Sequence, residues 1–187
     1  MEHNELTIEI EQDEYPDSPR DWDNLGTMVC FHSRYNIGDK HDYQEADFSS
    51  WDELEEQLVK DGARVVKPLY LYDHSVLSIS TGSFHGRAQH AEWDSGQVGF
   101  IAAFSKDIEA FVGWKRLNPK RRKRIDEMLE SEVEVYNQYL LGDVWGYTVE
   151  SPDGEVLDSC WGFYGRGLCE HEAQLAASVL SEERSMA

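Results

Sequence analysis

Four residues of suitable type stand where a sheet could carry them to one end. His32 closes an apolar run two positions after Cys30. His74 follows Asp73 at a strand bend, Asp94 follows Trp93 at the start of another apolar run, and Cys160 lies in an aromatic-rich strand. Imidazole, carboxylate and thiolate are the donors that zinc or another borderline transition metal takes. The same His and Asp residues would also serve as an acid–base pair. No CxxC pair, HExxH or carboxylate pair of known spacing accompanies them. The competing reading makes the cysteines small buried hydrophobes and the His and Asp side chains turn-closers bonded to backbone. Cys30 with His32 as a nucleophile pair lacks a third, orienting group. Cys169 and His171, in LCEHE, form one more pair, or simply lead a loop into a helix. No catalytic residue is assigned, and the sequence requires no cofactor.

A second chemistry is electrostatic. Lys115, Arg116, Lys120, Arg121, Arg122, Lys123 and Arg124, in KRLNPKRRKR, are seven of the 17 Lys and Arg residues. They open a long helix, where the macrodipole prefers acids. Charge set against local preference points to an anion or an acidic partner. The bland alternative is that the run neutralises acids elsewhere on the same chain.

Those acids are many. Against 17 basic residues stand 37 Asp and Glu, a formal net charge of −20 over 187 residues. Such a field repels a polyanion, which disfavours general phosphate-backbone binding. Three explanations compete: a solvated, aggregation-resistant surface, a high-salt cytoplasm, and an acidic face that docks on a basic protein surface.

The elements that must position these residues follow from periodicity. Leu6, Ile8 and Ile10 alternate as a half-buried strand, and an acidic, Pro-containing connector follows. GTMVCFH is a strand with Met28, Cys30 and His32 on one face. Ser50 caps a helix with Glu53 as its capping-box partner and Trp51, Leu54 and Leu58 as its stripe. VVKPLYLYDHSVLSIST gives two short strands bent near Asp73–His74, with Pro68 at a strand start or edge. QVGFIAAFS, apolar on both faces, is the central strand. Asn118, Pro119 and Gly142 bound the long amphipathic helix at about 119–141. A hairpin follows at about 144–163, turned by Asp153–Gly154, and a last helix at about 170–182. The expectation is α+β, with a single mostly antiparallel sheet and helices packed on it. Residues 1–21 read as an acidic strand and connector, 22–182 as one globular domain and 183–187 as a frayed tail. MEHNELTIEI is acidic where a signal peptide would be basic and then apolar. Three cysteines at no disulfide-framework spacing suit a reducing cytoplasm.

Several segments together resemble a family: WDNLGTMVCFHSRYNIGDKH, LYLYDHSVLSIST running into WDSGQVGF, EVEVYNQYLLGDVWGY and DSCWGFYG. The family is one of uncharacterised proteins encoded by phages, plasmids and their bacterial and archaeal hosts. The resemblance spans about Trp22 to Gly165. It implies a protein of a mobile element or virus, working in the host cytoplasm, and carries no activity over to any residue. The loop SFHGRAQHAE, with His85 and His90, and the acidic N-terminal arm depart from the family pattern.

Three functions follow as expectations. The first is a non-enzymatic protein that binds and modulates a host protein with a basic surface. In concrete form it inhibits a nucleic-acid-binding defence or replication protein by charge mimicry. The second is a small metal-dependent hydrolase using His32, His74, Asp94 and Cys160. The third, direct nucleic-acid binding through residues 115–124, is opposed by the net charge. The polar groups after TMVCF are expected to leave the sheet and organise a turn, through the Asn, Gly and Asp of YNIGDKH.

Overall fold

The run SGQVGFIAAF forms β5 (Ser95–Phe104), and from Val98 to Ala103 every side chain or glycine is buried. A strand apolar on both faces needs strands on both sides and helices above and below. In the computed structural model, which describes residues 6–186, β5 pairs antiparallel with β2 (Thr27–Cys30) and β3 (Ala63–Asp73). Beyond β3 lies β4 (Leu77–Ser80), giving the order β2-β5-β3-β4. On one face Val29, Phe100 and Ala102 pack on Leu54 and Leu58 of α1 (Trp51–Lys60). On the other, Met28, Leu69, Ile101 and Ala103 pack with Ile108 of α3 (Ser105–Val112) and with Ile125, Leu129 and Val133 of α4 (Pro119–Leu141). Each fully buried aliphatic side chain contributes about 1.5–3 kcal/mol by leaving water.

Local signals set the boundaries. Ser50 Oγ accepts from the Glu53 amide at 3.3 Å, while Glu53 reaches back to Ser49, accepting from its amide at 2.6 Å and its hydroxyl at 2.8 Å. The capping box is thus displaced by one residue. At the start of α4, Asn118 Oδ1 accepts from the Arg121 amide at 2.8 Å. Pro68 lies inside β3, opposite Phe100, and β4 pairs only with Tyr70–Asp73, so β3 is open on that side where the proline stands. A Cβ at Gly99 would lie 1.9 Å from the Val29 carbonyl oxygen, so only glycine fits where β5 pairs with the end of β2.

The expectation of a single sheet is corrected. A second antiparallel sheet has the order β1-β6-β7, from β1 (Thr7–Gln12), β6 (Val144–Glu150) and β7 (Val156–Tyr164). The reason is pairing. β6 exchanges its backbone bonds with β1 and β7, whereas periodicity reports which face a strand buries and not which strand lies beside it. The helix after the hairpin, α5 (Arg166–Met186), is also long at 21 residues, against the stretch of about 170–182 that periodicity gives. Its Cys169 and Ala173 close over Tyr147 and Val149, with Leu6, Ile8, Ile10 and Phe163 around them. Two residues of β7, Trp161 and Gly162, stand opposite Gly146 alone. This bulge separates Trp161 from Phe163, which simple alternation places on one face.

The chain divides into two compact units, Pro19–Leu140 and the paired chain ends, Met1–Ser18 with Leu141–Ala187. Residues 1–5, the beginning of the acidic arm, and Ala187, the end of the tail, lie outside the described residues.

Candidate functional site

The polar residues after β2 fold back onto it. Asp39 accepts from the Met28 amide at 2.7 Å, and the Asp39 amide donates to the Met28 carbonyl at 2.9 Å. His41 Nε2 donates to the Cys30 carbonyl at 3.2 Å. His32 Nδ1 accepts from the amides of Arg34 and Tyr35, each at 3.2 Å, and closes its own turn. Burial pushes the Cys30 thiol up to about 12, with Asp39 adding to the shift.

Asp39 belongs to a network that the sequence reading missed. Arg20, in a one-turn 3-10 helix, is buried, with a side chain 6 % exposed. Its Nε and Nη2 donate to the two Asp39 oxygens, Nη1 donates to Glu132 at 3.2 Å, and Nη2 also reaches the Gly26 carbonyl at 2.7 Å. Glu132 accepts from the amides of Leu25 and Gly26. Burial lifts the Glu132 carboxyl above its ordinary range, against the pull of those amides and Arg20. Two signals mark the network in the sequence. Arg20 is the only Lys or Arg among the first 33 residues, and Glu132 is an acid at core spacing between Leu129 and Tyr136.

The four candidate ligands are split. His74 Nδ1 lies 2.8 Å from Asp94 Oδ2. An ionised carboxylate can only accept, so the imidazole donates from Nδ1; in the neutral ring Nε2 is then the acceptor. His32 and Asp94 line one groove of about 410 Å³ at the end of the four-stranded sheet. Its walls include Phe31 and Trp51, stacked at 6.3 Å, and an Arg34–Asp73 ion pair. Cys160 is elsewhere: it lies on β7 of the second sheet, opposite Tyr147, and belongs to the other unit. Among the described residues no group of three or more His, Cys, Asp or Glu side chains is placed to hold a metal ion. The groove can bind through its aromatic walls, and the His74–Asp94 pair can move a proton. Its lip carries Trp93, 84 % exposed, on the one-turn helix α2 (Ala91–Asp94). Before it stands His90, in the left-handed region at φ 55°, a conformation of the kind found at functional sites.

Lys120 to Arg124 occupy the first turns of α4, and Lys115 and Arg116 lie in the segment before it. Arg121 stacks over the Trp114 ring at 5.2 Å and donates to the Arg116 carbonyl; Arg122 donates to the Arg64 carbonyl at 2.8 Å. Lys115 meets Glu109 at 3.1 Å, and Lys123 and Arg124 meet Glu127 at 3.7 and 3.6 Å. Lys120 is exposed on the rim of a groove of about 530 Å³ floored by Trp114. Cys169 is buried on the inner face of α5, while His171, on the same helix, is exposed, so that pair does not converge on one surface.

Comparison with protein-family models, with curated proteins and with solved structures gives no match. No helix among the described residues is long and apolar enough to cross a membrane.

Proposed function

We propose that this is a non-catalytic docking protein whose acidic surface occupies a basic face on another protein, with Trp93 as its aromatic anchor. The observation that carries the reading is the setting of Trp93: 84 % exposed, at the tip of α2, flanked in sequence by Glu92 and Asp94. An exposed indole rimmed by acids suits a partner that offers an apolar pocket within a basic surround. Trp is among the residues that dominate binding energy when desolvated at an interface centre. The net −20 speeds the encounter and selects against acidic partners. The resemblance to phage- and plasmid-encoded proteins supports a host protein as the partner. In concrete form it is a nucleic-acid-binding defence or replication protein whose basic face takes these carboxylates in place of phosphates.

The test is capture from host lysate by immobilised wild-type and Trp93→Ala protein, at low and high salt. The expected result is one protein retained by the wild type, released by salt and lost with Trp93→Ala, at unchanged thermal midpoint. Equal retention by both proteins, or none by either, overturns the reading.

One observation favours a second reading, acid–base chemistry beside the groove: Asp94, which lines it, accepts from His74 Nδ1, and in the neutral ring Nε2 is then a base. A panel of ester, phosphoester and amide substrates, compared between wild type and His74→Ala, tests it. Activity lost with His74 would move the groove from anchor to active site.

A further inference from the structure

We propose that the groove at the start of α4 takes the acidic Tyr15 segment of a second copy of this chain. Two features that the docking reading leaves unused fit one another. The first is the groove. It is floored by Trp114 and walled by Lys120, Arg121, Lys123 and Arg124, with Glu127 as the one acid among its lining residues. The ion pairs of the basic run reach two carboxylates, Glu109 and Glu127, among the described residues. Seven cations against two acids leave a local surplus on a chain that is otherwise strongly negative. The idea that the run serves to neutralise its own fold is therefore weakly supported by geometry.

The second feature is the segment Glu11–Asp17. Four of its seven residues are acids, and Tyr15 stands 89 % exposed among them. The Tyr15 amide donates to Asp13 Oδ1 at 3.0 Å. This Asx-type turn gathers the charges and throws the ring outward. Four carboxylates face four cations of the groove, and the phenol ring offers a face to a guanidinium. Charge complementarity also discriminates between occupants. Duplex nucleic acid carries one charge per ~1.7 Å of axis, and that charge continues past the groove over the rest of a −20 chain. The Glu11–Asp17 segment holds its four acids within seven residues, and charges more than ~8 Å apart are screened at physiological salt, so its contact with the groove outweighs the distant acids.

Three measurements test the contact together. Sedimentation velocity of the wild type over rising concentration is expected to show reversible self-association, weakened about tenfold or more by Tyr15→Ala and by Lys120→Glu with Arg124→Glu. A labelled peptide of residues 9–18 is expected to bind the wild type and not the Lys120→Glu, Arg124→Glu protein. Mixing that protein with an Asp13→Lys, Glu14→Lys protein is expected to restore association, because the reversed segment now meets a reversed groove. A wild type that stays monomeric, a mixture that does not associate, or a groove that retains a labelled oligonucleotide but not the peptide overturns the proposal. The last result would assign the groove to nucleic acid. Self-association and peptide binding of the wild type are each read without a variant, so misfolding of a variant does not shield the proposal.

Discussion

Arg20 meets Asp39 through two parallel bonds, Nε to Oδ1 at 2.8 Å and Nη2 to Oδ2 at 2.6 Å. The pair joins segments that carry little apolar surface of their own. Asp39 is fixed to β2 by the Met28 amide, and Glu132 brings α4 to the same guanidinium while holding the Leu25 and Gly26 amides. One buried cation thus ties the entry to β2, the turn that leaves it and the long helix. Planar, bidentate recognition of this kind needs arginine and not lysine.

Removing that cation leaves two carboxylates buried without their counter-charge. Arg20→Leu is expected to destabilise the protein by about 3 kcal/mol or more, read as a lower urea midpoint. Arg20→Lys should recover only part of the loss, since an ammonium cannot bridge both Asp39 oxygens. The double variant Arg20→Leu, Asp39→Asn should be less damaged than the sum of its singles. Additive losses would show that the network is not coupled.

Legibility in the sequence followed the range of each signal. Ser50, Asn118 and Pro119 mark helix starts through bonds made within a few residues, and the structure shows the Ser50 and Asn118 caps. β5 was legible because burial on both faces writes itself as a continuous apolar run. The split into two sheets was not, because β1 and β6 pair across more than a hundred residues and neither carries a mark of its partner. The candidate site shows the same limit. His74 and Asp94 do meet, from a strand bend and a helix end, whereas Cys160, of equal chemical promise, lies in the other unit. Arg20 and Glu132 were passed over because a lone Arg in a connector and one Glu on a helix look like solvated charges until their burial is known.

The three thiols divide by environment. Cys30 is buried, and its thiol is pushed up to about 12; Cys169 is also buried, and its thiol is raised by the same cause; Cys160 is exposed on β7. A maleimide or iodoacetamide reaction near neutral pH is expected to modify one thiol per native chain, and peptide mass spectrometry should place it at Cys160. Three thiols are expected to react in denaturant. Native labelling at Cys30 would mean that the turn holding Asp39 and His41 opens.

Gly99 tests the pairing of β2 with β5. A methyl there would have to displace the Val29 backbone, which lies at 1.9 Å and cannot rotate away as a side-chain end could. Gly99→Ala is expected to cost more than the ~1 kcal/mol of an ordinary point change, with the shift seen in the thermal midpoint and in faster amide exchange along β2. Gly62, at a φ of 104° but with open space around its ideal Cβ, is the control: Gly62→Ala meets strain without a clash and should be milder.

The displaced capping box of α1 gives the protein an acid-sensitive joint. Backbone and side-chain bonds from Ser49 hold the Glu53 carboxyl below its ordinary range. A carboxylate whose native pKa is depressed contributes stability that is present above its unfolded value and lost as pH falls through the native one. The first turn of α1 is therefore expected to loosen on acidification below the ordinary glutamate range, and not between neutrality and mild acid. The Ser49 amide proton, bonded to this carboxylate at 2.6 Å, should report the titration directly by NMR. Glu53→Gln keeps an acceptor but removes the titration, so its Ser49 signal should stay flat over the same range. If the wild-type signal moved with the midpoint of an ordinary exposed glutamate, the reach of Glu53 back to Ser49 would not persist in solution, and Ser50 Oγ alone would cap the helix that carries Trp51 to the groove.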